Sequence, residues 1–272
     1  MIYQHKVKVA RNTHVQGSYY QMAVKWGNDF NKPIPGQFVM IRMPENSALL
    51  LRRPFSIHCL GVNTQGYCGF ELLYKVVGKG THALSQYVSN QWIDILGPLG
   101  NGFKIKDTTK SAILISGGIG VAPMFFLLSE LLNNGTQCHV INGGRTKEDI
   151  LRTVVFKIMG VHPHIYTDDG SVGTKGLATD GLEAYLQTQV ADQIYACGPV
   201  PMLDKVTEIA KKFRIPCQLS LESHMACGMG ACLGCAMPSN DFSKPYYHVC
   251  VDGPVFDVDL ESNAAGCIQK LA

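Results

Sequence analysis

Four cysteines fall between positions 227 and 250, spaced Cys227-x4-Cys232-x2-Cys235, with Cys250 standing apart. The chain holds ten cysteines in 272 residues, and an even scatter would leave about one in that stretch. A segment spaced in this way is constrained before any other part of the chain. Three thiols must be turned toward one region, and a fourth must reach them from a separate segment. Gly228, Gly230 and Gly234 lie among the first three thiols and supply the backbone freedom for such a loop. A strand over residues 246–251 is expected to carry the fourth. The pattern C-x4-C-x2-C…C is the plant-type [2Fe–2S] ligand spacing, in which inward-turned backbone N–H groups tune the sulfurs. Structural zinc is the alternative, but it favours paired C-x2-4-C knuckles. Here the first gap is four residues and the last cysteine has no near partner. The candidate metal ligands are Cys227, Cys232, Cys235 and Cys250. The other six cysteines (Cys59, Cys68, Cys138, Cys197, Cys217 and Cys267) are scattered, and a secreted disulfide scaffold would be shorter and more evenly cross-linked.

At roughly 150 residues per domain, the length allows about two domains. Hydrophobic residues make up 46% and charged residues 17%, which suffices for packed cores and lies outside the disordered regime. Residues 1–104 are strand-rich: short alternating or β-branched runs at 3–9, 19–24, 37–43, 55–60, 69–77 and 92–96 are punctuated by Gly, Pro and Asn. Six such runs predict an antiparallel barrel or sandwich. From residue 105 to 218 strands alternate with helices. Strands are expected at 112–115, 137–142, 164–167 and 193–197, with helices after the first glycine turn and near 146–155, 176–187 and 201–213. That alternation predicts a parallel α/β sheet. Residues 219–272 carry the cysteine cluster and show little periodicity of their own.

Ser116-Gly117-Gly118-Ile119-Gly120-Val121 follows a buried strand and opens a helix. Glycines there let a backbone approach a pyrophosphate, and a helix N-terminus attracts its charge. A tight strand-to-helix turn without ligand is the plainer reading of this motif alone. Cys197-Gly198-Pro199 ends a later parallel strand, at the sheet edge where ligands bind in such folds. Together the two turns favour a nicotinamide dinucleotide. In the strand-rich part, Arg53-Pro54-Phe55-Ser56 opens a strand and Gly78-Lys79-Gly80-Thr81 a helical turn. Arg53 can pair with a phosphate bidentately, Phe55 can pack on an aromatic ring, and the turn with Thr81 can hold a second phosphate. Singly these are a surface arginine and an ordinary turn; jointly, upstream of a nicotinamide turn, they point to a flavin.

The net charge of +3 comes with no run of four Lys or Arg, which argues against nucleic acid. The longest unbroken apolar stretch, 121–128, is eight residues, against about 18 for a spanning helix, so no membrane segment is expected. The start of the chain alternates like a strand and lacks the apolar core of a signal peptide, so the expected location is cytoplasmic. Nine histidines show no metal-binding spacing and read as surface or packing residues.

These motifs, with Gly97-Pro-Leu-Gly-Asn-Gly102 between them, stand in the order found in the ferredoxin–NADP reductase superfamily. The tail, Glu222-Ser-His-Met-Ala-Cys227-Gly-Met-Gly-Ala-Cys232-Leu-Gly-Cys235 followed by Cys250-Val-Asp-Gly-Pro-Val-Phe256, resembles that of the electron transfer subunits of dihydroorotate dehydrogenase B. The resemblance spans nearly the whole chain, and the tail is its most specific part. It implies an antiparallel Greek-key β-barrel for FAD (1–104), a parallel-sheet α/β domain for NAD (105–218) and a small C-terminal [2Fe–2S] segment (219–272). It also implies a partner, an FMN-containing catalytic subunit that oxidises dihydroorotate in pyrimidine biosynthesis, in a heterotetramer of two of each chain. Electrons would pass from that FMN through the cluster and FAD to NAD. FAD contacts would fall at Arg53, Pro54, Phe55, Ser56, Leu73, Tyr74, Lys75, Gly80 and Thr81. Those to NAD would fall at Gly117, Gly118, Gly120, Cys197 and Gly198. Phe55 stands where the superfamily often has tyrosine, and His224 where an arginine is common. Subunits of similar build serving a soluble hydrogenase or a sulfur reductase remain the alternative. Arg145, after the second α/β strand, leaves NADP open beside NAD.

Overall fold

Alternation in the first hundred residues closes six strands on themselves. They are β1 (Gln4–Gln16), β2 (Tyr19–Lys25), β3 (Phe38–Ile41), β4 (Arg53–Asn63), β5 (Gly66–Lys75) and β6 (Trp92–Leu99). All neighbours are antiparallel, in the order β1-β2-β5-β4-β3-β6, a Greek-key barrel. Val7, Val9, Met22, Val24, Val39, Ile57, Leu72 and Ile95 share its core, as the two-residue period of a strand requires. The computed structural model describes residues 4–26, 31–43, 49–63, 66–239 and 243–261. Tyr3 at the expected start of the first strand, Cys267, and residues 262–272 of the expected C-terminal segment lie outside the described residues. A short helix, α1 (Lys79–Ser85), follows β5.

The second sheet takes β7 (Ser111–Gly117), β8 (Gln137–Gly144), β9 (His164–Thr167), β10 (Thr174–Lys175), β11 (Gln193–Cys197) and β12 (Cys217–Ser220). These are parallel, in the order β10-β9-β8-β7-β11-β12. Helices α2 (Val121–Asn133), α3 (Thr153–Ile158), α4 (Ala178–Leu186) and α5 (Val200–Phe213) cross between them. α2 is apolar on most sides because it serves two cores. Leu127, Leu128 and Leu131 pack under the sheet, while Phe126 enters the barrel core. Burying that one phenylalanine contributes about 1.5–3 kcal/mol to holding the two layers together. α2 ends where Gly135, at φ 75, lets Gly135 and Thr136 bond back to the Leu132 and Leu131 carbonyls at 3.0 Å each, a Schellman stop.

The helix expected over 146–155 is instead a single 3-10 turn (Lys147–Asp149) followed by α3. Arg152, between them, stands at φ 67 in the left-handed region, which no α-helix can pass through.

The tail holds three more strands, of which its sequence announces one, a shortened version of the strand expected over 246–251. β13 (Ala236–Pro238) and β14 (Tyr246–His248) form a hairpin, and β15 (Val255–Asp257) adds antiparallel to β12 at the sheet edge. Cys235, Met237, Val249 and Cys250 share a core with Phe38, Met40, Leu96 and Leu99 of the barrel. Asn101 clasps the tail to the barrel by donating its side-chain amide to the Val251 and Asp252 carbonyls at 2.9 and 3.0 Å.

Candidate functional site

The two glycine-containing turns sit side by side because β7 and β11 are neighbours, with Ser116 opposite Cys197. Gly118 to Gly120 form a 3-10 turn that runs directly into α2, and Gly118 stands at φ 54. A Cβ on Gly120 would lie 2.2 Å from the Cys197 carbonyl oxygen, and one on Gly198 would lie 3.0 Å from the Gly117 nitrogen. Both positions need glycine because two backbones touch there. Parallel strand ends and a thirteen-residue helix starting beside them make a surface of converging N–H groups suited to a pyrophosphate.

Facing these turns is a cleft of about 270 Å³. Its barrel wall holds Pro54, Phe55 and Ser56 of β4, Leu73, Tyr74 and Lys75 of β5, and Thr81. Ile119, Ala122, Pro123 and Cys197 form the α/β wall. The tail supplies the third wall with Ser220, Leu221, Glu222, Ser223, Met225 and Pro254. Phe55 and Tyr74 meet edge to face at 5.8 Å, and Tyr74 donates to Asn12 Oδ1 at 3.0 Å, which leaves an aromatic corner suited to a planar ring system. Lys75 pairs with Asp149 at 3.2 Å and lies over the Tyr19 ring, while Tyr19 donates to the same carboxylate at 2.5 Å. Burial pushes Asp149 up, yet the bonds from Tyr19 and Lys75 outweigh it and hold this carboxyl below its ordinary value.

Of the residues expected to contact nucleotides, Pro54, Phe55, Ser56, Leu73, Tyr74, Lys75, Thr81 and Cys197 line the cleft. Arg53, Gly80, Gly117, Gly118, Gly120 and Gly198 stand behind or beside it. Arg53 donates through Nη1 to the Leu51 and Arg52 carbonyls at 3.0 and 3.2 Å. The Thr81 hydroxyl accepts from the Val77 and Gly78 amides at 2.9 and 3.2 Å, holding the turn that opens α1. Among residues not foreseen, Glu222 stands out. Its side chain is open to the cleft yet hemmed in by protein, and that burial raises its carboxyl. Burial, and then the Glu222 carboxylate, push the Cys197 thiol up to about 12, so Cys197 is an apolar wall rather than a nucleophile. No spacing signal places Glu222 here; it enters because β12 ends at the sheet edge.

The thiol loop follows directly. Cys227 Sγ accepts from the amides of Met229 and Cys232 at 3.4 Å each, and Cys250 Sγ from the amide of Gly230 at 3.2 Å. Cys235 and Cys250 have their sulfurs 3.2 Å apart and are buried, whereas Cys232 is exposed. Burial works against ionising Cys227, but its amide donors prevail and bring the thiol down to about 7. Gly228 and Gly230 take φ 73 and 81 as the loop requires; the third left-handed position is Leu233 at φ 57, not Gly234. Cys250 lies in the turn after β14 rather than on a strand. Four thiols, with amides already turned onto two of them, fit the donor set of a two-iron cluster.

Residues 222–260 match the family described as the iron-sulfur cluster binding domain of dihydroorotate dehydrogenase B, and residues 114–208 match the oxidoreductase NAD-binding domain. The chain is 41% identical over 258 residues to the dihydroorotate dehydrogenase B (NAD(+)), electron transfer subunit, of Listeria monocytogenes serotype 4a (strain HCC23), covering 94% of this chain and 98% of the relative. The subunit of the same description from Geobacillus kaustophilus (strain HTA426) is 40% identical over 225 residues, or 82% of this chain and 84% of the relative. Among solved structures, an NADH-dependent reduced ferredoxin–NADP oxidoreductase, described for flavin-based electron bifurcation, superposes with a TM-score of 0.80 at 28% identity. That match covers 92% of this chain and 87% of the other. The cytochrome b5 reductase domain of Ulva prolifera nitrate reductase shares the fold, with a TM-score of 0.64 at 18% identity over 78% of this chain and 94% of that one.

Proposed function

The chain belongs to the dihydroorotate dehydrogenase B (NAD(+)) electron transfer subunits, and from that premise we propose that it carries electrons between a dihydroorotate-oxidising partner and NAD along one continuous stretch of its tail. Its cofactors are FAD, a [2Fe–2S] cluster and NAD. When bound, the cluster passes single electrons and the flavin joins them to the two-electron hydride exchange with nicotinamide. The observation that carries the proposal is continuity. Residues 220–223 and Met225 form a wall of the cleft, and Cys227 opens the thiol loop two positions after Met225. The tail wall of the cleft and the first sulfur therefore belong to one short piece of backbone.

In this reading Arg53, Pro54, Phe55, Ser56, Leu73, Tyr74, Lys75, Gly80 and Thr81 hold FAD. Gly117, Gly118, Gly120, Cys197 and Gly198 receive NAD, and Cys227, Cys232, Cys235 and Cys250 hold the cluster. The units divide at 104/105 and 218/219. Cys232 is exposed, and Met229, Leu233, Tyr246 and Val251 of the same tail are each more than 40% exposed. Exposed apolar side chains in the segment that carries an exposed ligand suit a partner that must bring its own redox centre close. The assembly is a heterotetramer with two FMN-containing catalytic subunits, and it works in the cytoplasm in pyrimidine biosynthesis; no helix among the described residues is long and apolar enough to cross a membrane.

The test is NAD reduction by dihydroorotate, with this chain and its FMN partner mixed and apart, beside iron and acid-labile sulfide analysis. Coupled turnover only in the mixture, with two irons and two sulfides per chain, is the expected result. Stoichiometric zinc without sulfide, or coupling only to another donor such as a hydrogenase, would reject it.

A further inference from the structure

His58 has no exposed surface and sits where β4 meets α2. β5 pairs its Leu72 with Ile57 and its Glu71 with Cys59, so His58 is the extra residue of a β-bulge. Ile57 fills the barrel core, while the bulge re-aims His58 at the helix. Its Nδ1 lies 2.7 Å from the Ala122 carbonyl, and Arg152 Nε lies 2.8 Å from its Nε2. These partners fix its state. A carbonyl only accepts, so Nδ1 carries the proton; a guanidinium only donates, so Nε2 is bare. Burial, and then the Arg152 charge, hold the imidazole down at about 3. Arg152 is the charged group that His58 meets. Behind it stand the Cys59 thiol of β4, Glu71 of β5 and Arg11 of β1. The imidazole packs 4.8 Å from the Phe125 ring of α2, which Arg152 also covers at 5.8 Å. Arg152 keeps its left-handed backbone, a conformation that persists in a non-glycine residue only where its surroundings enforce it.

The placement matters because the bond to Ala122 joins the strand of one cleft wall to the helix of the other. Ser56, two residues before His58, lines the barrel wall, and Ala122 lines the α/β wall at the first turn of α2. Hydride exchange needs its two reacting atoms about 3–3.5 Å apart, so a small slip between these walls is costly. We propose that His58 is a positioning residue for hydride exchange: its neutral Nδ1–H imidazole ties the glycine turn and α2 to β4, and thereby sets the nicotinamide wall against the flavin wall. The role rests on the wall assignments proposed above.

The test uses the holoenzyme with its FAD and cluster loaded. His58→Leu removes both bonds, and His58→Gln retains one donor and one acceptor. Flavin reduction by NADH, followed by stopped flow, is expected to slow about tenfold or more in His58→Leu. The long-wavelength absorbance of reduced flavin stacked on nicotinamide should weaken with it, at unchanged FAD and iron content, and His58→Gln should restore both. Wild-type rate and absorbance in His58→Leu overturn the role. If His58→Leu does not fold, imidazole nitrogen NMR of the wild type decides: a neutral Nδ1–H form at pH 5 supports the proposal, and an imidazolium there overturns it. A wild-type flavin that NADH fails to reduce would overturn the proposed function, and this role with it.

Discussion

The thiol loop and the cleft are adjacent yet built in opposite ways. The loop draws its ligands from positions 227–250, and the amides that bond its sulfurs come from Met229, Gly230 and Cys232 of the same stretch. The cleft draws its walls from β4, β5, the turn before α2, the end of β11 and the tail. Removing one thiol should therefore disable the loop alone, whereas a disturbance at a strand end should reach the whole cleft. Metal chemistry is local in this protein, and nucleotide chemistry is topological.

The largest expected effect tests the local half. Cys232→Ser replaces a thiolate with a hydroxyl that does not ionise at neutral pH. It should lose iron and sulfide and all dihydroorotate-to-NAD coupling, yet keep FAD and dye-linked oxidation of NADH. Loss of that dye activity with flavin retained would show that the cleft depends on the cluster after all. Gly120→Ala tests the other half. Its Cβ would sit 2.2 Å from the Cys197 carbonyl oxygen, so the two turns must part at a cost of about 1–3 kcal/mol. Thermal unfolding should move down and NADH-driven flavin reduction should slow, with iron content unchanged.

Arg53→Ala should leave the fold intact, because among the described residues Arg53 bonds only the local Leu51 and Arg52 carbonyls, and should release FAD on gel filtration. Flavin content equal to wild type would reject its phosphate role. The His58 contribution depends on pH in a defined direction. Its folded value, about 3, lies below the ordinary 6.5, so the unfolded chain takes up the proton first. Its stabilisation is intact above about pH 6.5 and is lost as pH falls from there toward 3, by up to about 1.4 kcal/mol per pH unit. Denaturant titrations of wild type and His58→Gln should differ in that slope. Asp149→Asn is expected to do least. The Lys75 side chain is 38% exposed, and screened pairs of this kind are worth at most about 1 kcal/mol. A larger fall in Tm would show that the link from Asp149 to Tyr19 and Lys75 shares the clamp at His58.

The barrel strands and the α/β alternation were legible because each element type leaves its own burial pattern. A barrel strand alternates in burial, as residues 4–9 do, while a strand covered on both faces, such as 193–197, reads as a short apolar run, and helices carry a longer period. The thiol ligands were legible because their spacing is itself the constraint. What stayed hidden depends on neighbours distant in the chain. The break at Arg152 reflects an anchor on a histidine 94 residues away, which local propensity does not contain. Glu222 reads as a loop residue until β12 delivers it to the cleft. β15, three residues long, is too short for periodicity to reveal and forms only because β12 offers an open edge.

The sequence by itself determined the cysteine spacing, the glycines at the two turns and the family those motifs share, since each acts through backbone freedom or ligand chemistry confined to a few adjacent positions. Only the tertiary structure decided that the tail becomes the third wall of the cleft, that Gly120 must be glycine because of Cys197, and that a buried histidine joins the two layers. Those properties belong to pairs of distant groups in contact, and a contact of that kind exists only once the chain has folded.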